Sequence, residues 1–363
     1  MDMHLRPARV VPPGRIVKRE LEAHGWTQRD LAEIVGRPEQ AISEIVQGHK
    51  QITPETALQL AAAFGTSADF WLNLEINYQL YQVRQGHDKA RIARKSRLYS
   101  LVPVAELIKR GWIKDVDSLE ALEWEVCDFL EIATLDEQPR LAVNLRQAEL
   151  QEPEVIAQIA WIKRVEHLAR AQNVGVFDRE RLQAAIPDLL AYAARVEDVT
   201  QVPVFLQSLG IRFVIVPHLP HTYLDGAAFT EGQPIVALTL RYDRIDSFWF
   251  TLLHELAHLI AGHAGLYLDD LDRRNGNIEE VEANRIAQDW LIEPAALARF
   301  IATTQPHFSR ARVLAFAADQ RRHPGIVLGR LQYDELVTYK NLRMLLGRVK
   351  PYLESWIDVP APV

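Results

Sequence analysis

The sequence predicts a multi-domain, mainly α protein with one small sheet in its C-terminal half. Its 363 residues exceed the usual size of a single hydrophobic core. Residues 12–75 have the pattern of short amphipathic helices separated by Gly and Pro. A β pattern begins only at Val204, and a helical pattern returns after it. Strands grouped together, without βαβ alternation, predict an α+β domain in that half.

The composition is that of an ordinary globular protein, with 48% hydrophobic and 25% charged residues, which excludes collagen-like, disulfide-scaffold and wholly disordered classes. The net charge of −7 means that nucleic-acid binding requires a local surface. The single cysteine, Cys127, excludes an intramolecular disulfide and a thiolate zinc cluster. Because no signal core and no run of ~18 apolar residues is present, we expect a cytoplasmic protein without a membrane partner.

Changes of pattern divide the chain into four expected regions. Residues 1–80 form a compact all-α module, and residues 81–200 form a helical connector that contains a basic stretch from Arg84 to Arg97. Residues 201–300 hold the α+β domain, and residues 301–363 are a C-terminal helical extension.

Three short strands are expected in the α+β domain. The apolar run from Ile211 to Pro217 predicts the first strand. Ala227–Phe229 and Pro234–Leu240 flank a Gly-containing turn and predict a hairpin. An extended peptide could add to the edge of this hairpin near Pro234–Leu240.

A helix from Ser247 to His263, with Asp246 as its N-cap and Gly265 beyond its end, follows the hairpin. It is apolar on nearly every face, which predicts a buried helix. His254 and His258 are four residues apart on one face, where two imidazoles can bind one zinc ion. Glu255 is placed to accept a proton from an activated water. The alternative is a pair of core histidines bonded to backbone groups.

A third ligand is expected on the next helix, from Asn277 to Pro294. Its first turns carry Glu279, Glu280 and Glu282. The apolar face runs through Ala283, Ile286, Ala287 and Trp290. Glu279 and Glu282 flank that face, whereas Glu280 is expected to point more towards solvent. The simpler interpretation is that these carboxylates only favour the positive helix N-terminus.

These motifs, taken together, resemble the ImmA/IrrE metallopeptidases. The matching segments are Leu224–Phe229, Pro234–Leu238, Phe250–His258, Glu282–Asn284 and Leu291–Pro294. The resemblance implies a zincin-like domain whose zinc is held by His254, His258 and a later glutamate, with Glu255 as the catalytic base. That later glutamate precedes an alanine, which makes Glu282 the first choice and Glu279 the second. The ligand types favour zinc but leave open the binding of another divalent metal.

Four further side chains are candidates for stabilising the transition state in such a site. They are His218, His221, Tyr223 and His263. Each is more often an ordinary loop or core residue.

The N-terminal module contains two consecutive helix patterns separated by a glycine turn. The first begins at the N-cap Thr27 and ends at Gly36, and the second runs from Glu39 to Gly48. This arrangement predicts a helix-turn-helix whose second helix reads bases while neighbouring groups contact phosphate. The expected DNA-binding residues are Gln28, Arg37, Glu39, Gln40, Ser43, Glu44 and Lys50.

Residues 12–80 resemble the HigA-type branch of Cro/repressor-like helix-turn-helix proteins. The matching segments are Pro13–Ile16, Gly25–Gln28, Gly48, Ile52–Leu58 and Phe70–Leu74. The resemblance implies a homodimer on palindromic operator DNA, autoregulation of transcription and often a small ribonuclease toxin as partner. Against DNA binding, residues 1–75 carry 8 basic and 10 acidic side chains, and the alternative role of the module is protein docking or dimerisation.

The two resemblances together predict an antitoxin-like transcriptional regulator with a zinc-dependent endopeptidase domain. This hydrolase would cut a peptide bond in a regulatory protein or in the chain itself. The first alternative is a non-enzymatic antitoxin or repressor that binds a toxin and has a structural or vestigial metal site. A peptidase without a DNA-related role is the second.

Overall fold

A computed structural model describes residues 11–84, 89–137, 139, 153–220, 222–229, 232–263, 266–269 and 278–358. The chain forms two compact units, Met1–Ile92 and Ala93–Val363. Within the described residues, no helix combines the length and the apolar character that a membrane crossing requires.

The N-terminal unit contains a bundle of five short helices. They are α1 (Pro13–His24), α2 (Gln28–Val35), α3 (Glu39–Gln47), α4 (Pro54–Phe64) and α5 (Ala68–Arg84). The first four each end at a glycine in the left-handed region, where glycine has no Cβ to clash. These endings keep the turns short, so that the helices pack around one core.

Trp71 is fully buried in this core, and its Nε1 donates a hydrogen bond to Thr66 Oγ1 at 2.7 Å. The expected N-cap of α2 is present, since Thr27 and Asp30 form a reciprocal capping box. The apolar side of α3 is buried through Ile42 and Ile45. The helix-turn-helix predicted from the glycine spacing is therefore confirmed.

The C-terminal unit is mainly helical and contains one four-stranded sheet. Its helices, the first of which begins before the boundary between the units, are α6 (Lys89–Tyr99), α7 (Val104–Lys109), α8 (Leu119–Leu130), α9 (Pro153–Arg170), α10 (Arg179–Ala191), α11 (Val202–Ser208), α12 (Ile245–Ala261), α13 (Ile278–Leu291), α14 (Pro294–Thr304), α15 (Arg310–Asp319), α16 (Pro324–Tyr333) and α17 (Lys350–Leu353). The strands are β1 (Arg212–Ile215), β2 (Gly226–Phe229), β3 (Ile235–Leu238) and β4 (Leu266–Asp269).

The strand order is β1-β3-β2-β4, with β1 parallel to β3 and the other pairs antiparallel. The predicted hairpin is present as β2 and β3, and the strand β4 was not expected from the sequence. Strand β3 lies between β1 and β2, so both of its edges are already paired. The expected addition of a peptide to the edge of the hairpin near Pro234–Leu240 is therefore wrong. The edges of the sheet are β1 and β4.

Both faces of the sheet are covered by helices. On one face, Ala228, Val236 and Leu238 share a core with the apolar side chains of α12. On the other face, Ala227 and Ala237 share a core with α8 and α9. The alternation of the two cores along each strand follows from the two-residue period of a β-strand. The sheet is therefore the middle layer of three.

Helix α9 is tied to the sheet and to the end of the described chain. Trp161 Nε1 donates to the Val216 carbonyl at 2.8 Å. Asp358 accepts hydrogen bonds from Trp112 Nε1 at 2.9 Å and from Arg164 Nη2 at 2.6 Å. Residues 93–358 thus form one unit, which differs from the expected boundaries at 200 and 300 and from a separate connector at 81–200.

An ion-pair cluster joins α8 to α9. Lys163, only 2% exposed, donates to Glu131 at 3.2 Å and to Glu166 at 2.9 Å. A hydrogen bond from Arg170, opposed by burial and assisted by Lys163, lowers the pKa of Glu131 to about 2. Glu131 therefore remains ionised and compensates the buried ammonium of Lys163.

The histidine helix has different limits from those expected. Helix α12 begins at Ile245, so Asp246 lies in its first turn instead of capping it, and accepts a 2.6 Å hydrogen bond from Arg244 Nη2. The helix ends before Gly262, which has a φ of 75° and interrupts the helical conformation three residues ahead of Gly265.

Gly14 marks the close approach of α1 to α3. A Cβ at this position would lie against the carbonyl oxygens of Ile45 and Val46 and 2.8 Å from the Val46 carbonyl carbon. We expect Gly14→Ala to destabilise the contact by about 1–3 kcal/mol, because backbone atoms have little freedom to move away. Amide hydrogen exchange in α1 and α3 of the full chain should accelerate about tenfold or more. Exposed Arg15→Ala is the control, and equal protection in both variants would contradict this account.

Candidate metal centre and nucleic-acid surface

Helix α12 carries three polar side chains into the interior of the C-terminal unit. His254, Glu255 and His258 each have 0% exposure. They are surrounded along the helix by large apolar residues, including Trp249 and Leu253, which are also fully buried. Burial of three ionisable groups is costly unless each is engaged by another polar group or by a metal ion.

The two histidines point their Nε2 atoms at a common position. The distance between His254 Nε2 and His258 Nε2 is 3.0 Å. Glu280 of α13 joins them, with Oε2 3.1 Å from His254 Nε2 and Oε1 3.6 Å from His258 Nε2. One ligand atom from each of the three residues lies within 4.8 Å of the others. Two imidazoles and one carboxylate are a donor set that zinc accepts while keeping a fourth position open.

The carboxylate at this position belongs to Glu280, not to Glu282 or Glu279 as expected from the sequence. Glu280 precedes Ala283 by three residues and Ala287 by seven, so it shares their buried stripe. The expected apolar face also included Ile286 and Trp290, which are only partly buried. The two alanines mark the side of α13 that faces α12, and their spacing was the signal for Glu280.

The protonation states of this cluster suit metal binding. Burial alone would raise the pKa of Glu280, but hydrogen bonds from His254 and His258 lower it to about 2. Burial lowers the pKa of His258, although Glu280 acts in the opposite direction. Both shifts favour the forms that bind metal, an ionised Glu280 carboxylate and a neutral His258 imidazole.

His263 supports His258 from behind the cluster. Its Nδ1 lies 2.9 Å from His258 Nδ1, on the opposite side of the ring from the shared Nε2 position. Glu282, 48% exposed, lies 3.6 Å from His263 Nε2. His263, expected as a transition-state stabiliser, instead has the position of a group that fixes the orientation of a ligand ring. Glu282 lies on the solvent side of His263.

Glu255 lies beside a strand that has no side chain at the point of contact. A Cβ on Gly226 of β2 would lie 2.6 Å from Glu255 Oε1 and 2.6 Å from Thr251 Cγ2. The bare backbone of Gly226 therefore leaves the space that the Glu255 carboxylate occupies. This contact gives a physical reason for glycine in the Leu224–Phe229 segment.

Two of the remaining candidates, His218 and Tyr223, lie in loops next to the sheet. The His218 carbonyl accepts a hydrogen bond from Arg110 Nη2 at 2.9 Å, and burial lowers the pKa of its imidazole. Tyr223 has a φ of 52°, and the Arg241 guanidinium lies 5.4 Å from the centre of its ring. His221 lies outside the described residues.

The expected DNA-contact residues lie on and around the α2–α3 turn. Gln28 is the first residue of α2, and Lys50 is exposed after α3. Glu39 and Gln40 are exposed in the first turn of α3, and Ser43 and Glu44 are half-buried in the next.

Two of the polar side chains on α3 pair along the helix, and Arg37 is held elsewhere. Gln40 Nε2 donates to Glu44 Oε1 at 3.2 Å. Arg37 is 17% exposed, pairs with Glu55 at 3.3 Å and donates to Gln59. Arg37 therefore ties the turn to α4, and the outward polar surface is formed by α3.

Comparison with known proteins assigns the N-terminal unit. Residues 17–71 match the helix-turn-helix family. Antitoxin HigA-1 of Vibrio cholerae is 34% identical over 82 residues, which are 22% of this chain and 77% of the relative. Virulence-associated protein A of Dichelobacter nodosus is 40% identical over 73 residues, 20% of this chain and 72% of the relative. The chain belongs to this family of HigA-like helix-turn-helix proteins.

A solved HigA-family addiction module antidote protein from Coxiella burnetii is 34% identical, with 22% of this chain and 86% of that chain covered and a TM-score of 0.21. Residues 206–316 match the IrrE N-terminal-like domain of the M78 peptidase family. This range contains His254, Glu255, His258 and Glu280. The chain therefore joins a HigA-like helix-turn-helix to an IrrE N-terminal-like domain.

The geometry distinguishes the glutamates of α13 by their effect on metal affinity. We expect Glu280→Gln to weaken zinc binding on the order of 100-fold or more, because it removes a carboxylate from the centre. Glu282→Gln should cost about tenfold or less, since Glu282 only supports His263. Zinc titration of the metal-free full chain by calorimetry measures both, with Glu279→Gln as a further control. A larger loss in Glu282→Gln than in Glu280→Gln would reverse the assignment.

Proposed function

We propose that this chain is an operator-binding regulator whose C-terminal unit is a zinc-dependent endopeptidase. The observation that carries the proposal is the convergence of His254, His258 and Glu280 on one position, with a second buried carboxylate, Glu255, in the same turn of α12. A metal set with an open position and an adjacent general base is the arrangement that peptide hydrolysis requires.

His254, His258 and Glu280 would hold the metal. The chemistry that zinc supplies in such a set is Lewis acidity, which polarises a peptide carbonyl and makes water acidic near neutral pH. Glu255 would accept a proton from the attacking water through one carboxylate oxygen. It would then give that proton to the amine nitrogen that leaves as the C–N bond breaks. Gly226 keeps the space for this carboxylate, and His263 orients His258.

The proposed substrate is a peptide bond in a regulatory protein or in the chain itself. The helix-turn-helix supports this choice, because the chain combines it with a domain of a peptidase family. The relatives include a protein named as an antitoxin, which supports a small toxin as a further candidate partner.

Loss of the proton acceptor should separate chemistry from metal binding. We expect Glu255→Gln to keep wild-type zinc content but to lower the cleavage rate by a factor on the order of 10²–10⁴. The measurement is incubation of the zinc-loaded protein with cellular protein extract, followed by mass spectrometry of new N-termini, including those of the chain itself.

Gly226→Ala provides an independent change at the same group. Its Cβ would displace the Glu255 carboxylate, so cleavage should fall at least tenfold while zinc content is kept.

For both variants the proton acceptor is the test. Cleavage at the wild-type rate by Glu255→Gln would reject the mechanism.

A second function is favoured by the complete burial of the α12 side chains. His254, Glu255 and His258 each have 0% exposure, as expected of a structural metal site in a non-enzymatic antitoxin or repressor. In that case metal removal should lower thermal stability, and no new N-termini should appear in any extract that the wild-type protein treats. Cleavage by the wild type that is lost in Glu255→Gln favours the enzyme.

Operator recognition is proposed for the exposed side of α3, in a homodimer that places two such helices about one DNA turn apart, ~34 Å. Gln40 and Ser43 would bond to base edges, and Gln28 and Lys50 would contact phosphate. The glutamates Glu39 and Glu44 on this surface would repel phosphate, so its affinity should depend on base contacts.

The α3 assignment predicts a selective loss of sequence recognition. We expect Gln40→Ala and Ser43→Ala to weaken binding to the promoter preceding the chain's own coding sequence by about 1–3 kcal/mol each. Binding to a random duplex should change little. Fluorescence anisotropy at one salt concentration measures both affinities, and Asn73→Ala, exposed on α5, is the control. Equal affinities for the two duplexes in the wild-type protein would contradict operator reading.

A further inference from the structure

A cavity of about 590 Å³ opens in the C-terminal unit beside the candidate metal centre. Ser247 and Phe250 of α12 form one wall, and Gln288 of α13 forms another. Helix α16 and the segment after it complete the cavity with Tyr333 and Tyr339. Its volume lies in the range of about 300–1,000 Å³ that is usual for ligand sites in proteins.

The cavity lies against the two helices that carry the metal-binding side chains. Phe250 is one helical turn before His254, and their ring centres are 6.2 Å apart. Gln288 is eight residues after Glu280, about two turns further along α13. The same two helices that provide the metal-binding side chains therefore provide the walls of the cavity.

The chemistry of the walls favours an uncharged and largely apolar ligand. Phe250, Leu291 and Ile326 provide apolar surface, and the tyrosine rings lie at the rim. The two arginines that line the cavity, Arg244 and Arg330, already have carboxylate partners within the protein. Arg244 bonds to Asp246 at 2.6 Å, and Arg330 bonds to Asp334 at 2.8 Å. An anionic ligand would have to compete with these partners.

We propose that this cavity is the specificity site of the peptidase and receives large aromatic or aliphatic side chains of the substrate next to the bond at the metal centre. This inference rests on the proposed function and names the substrate class for it. A peptide is favoured over a free small molecule because the cavity lies on the two helices that carry the metal-binding side chains, with the Phe250 ring 6.2 Å from the His254 ring. In an extended peptide, alternate side chains lie about 7 Å apart on one side, so one residue can enter the cavity while the bond near it stays at the centre.

Two variants fill the cavity without changing the metal-binding groups. Gln288→Trp adds a large ring from the α13 wall, and Ser247→Trp adds one from the α12 wall. Arg285→Trp is the matched control, because it places the same side chain on the exposed side of α13, where Arg285 is 66% exposed. Circular dichroism and zinc content establish that each variant is folded.

The experiment measures binding to the full chain in the zinc-loaded Glu255→Gln background. Two blocked hexapeptides are compared by calorimetry, one with two central phenylalanines and one with alanines in their place. Adjacent phenylalanines ensure that one of them faces the cavity in either register. We expect the phenylalanine peptide to bind at least tenfold more tightly, a difference of about 1.4 kcal/mol. In Gln288→Trp or Ser247→Trp the two affinities should agree within about twofold, and Arg285→Trp should keep the preference.

Equal affinities in the parent protein, or a preference that persists in both folded cavity variants, would overturn the assignment. Equally tight binding of free phenylalanine amide would also overturn it, in favour of a small-molecule site. If the binding pattern holds while the zinc-loaded wild type cleaves neither peptide nor extract, the cavity assignment stands and the proposed hydrolysis fails. Readouts of binding and of cleavage therefore test the two proposals separately.

Discussion

The close packing of α13 on α12 is the interaction on which the candidate centre depends. Ala283 and Ala287 are fully buried at this contact, and their small side chains let the two helices approach closely. Glu280 continues the same stripe by one turn and therefore meets His254 and His258. The alanines set the distance between helices, and that distance decides whether a carboxylate completes the metal-binding set or stays in solvent.

The second constraint is the three-layer arrangement around the sheet. Helix α12 covers one face through the core that contains Val236, and α9 covers the other through Trp161. Strands buried on both faces keep a fixed position relative to both helices, since core packing tolerates little displacement. Gly226 of β2 can thus approach Glu255 closely without a variable gap between them. The sheet therefore constrains the position of Glu255, the proposed base.

Local signals in the sequence predicted much of this molecule. Glycine spacing located α2 and α3, and two segments flanking a Gly-containing turn located β2 and β3. Strand β4 was not predicted because its partner β2 is distant in sequence, with β3 and α12 between them, so no hairpin turn marks the pairing. Glu280 was missed because helix periodicity leaves the centre of a face uncertain when large residues, such as Ile286 and Trp290, lie on its flank. The sequence did not predict the turn at Gly262, so the contact between His263 and His258 was not expected.

The role of α9 and of Asp358 also determines what can be exchanged between proteins. A recombination event that moved only the part matching the IrrE-like family, residues 206–316, would leave behind the helix that covers one face of the sheet. It would also leave behind the carboxylate that receives Trp112 and Arg164. Apolar strand surface would then face water. The inheritable module of this architecture is therefore much larger than its recognisable motif, and it extends from near residue 93 to residue 358.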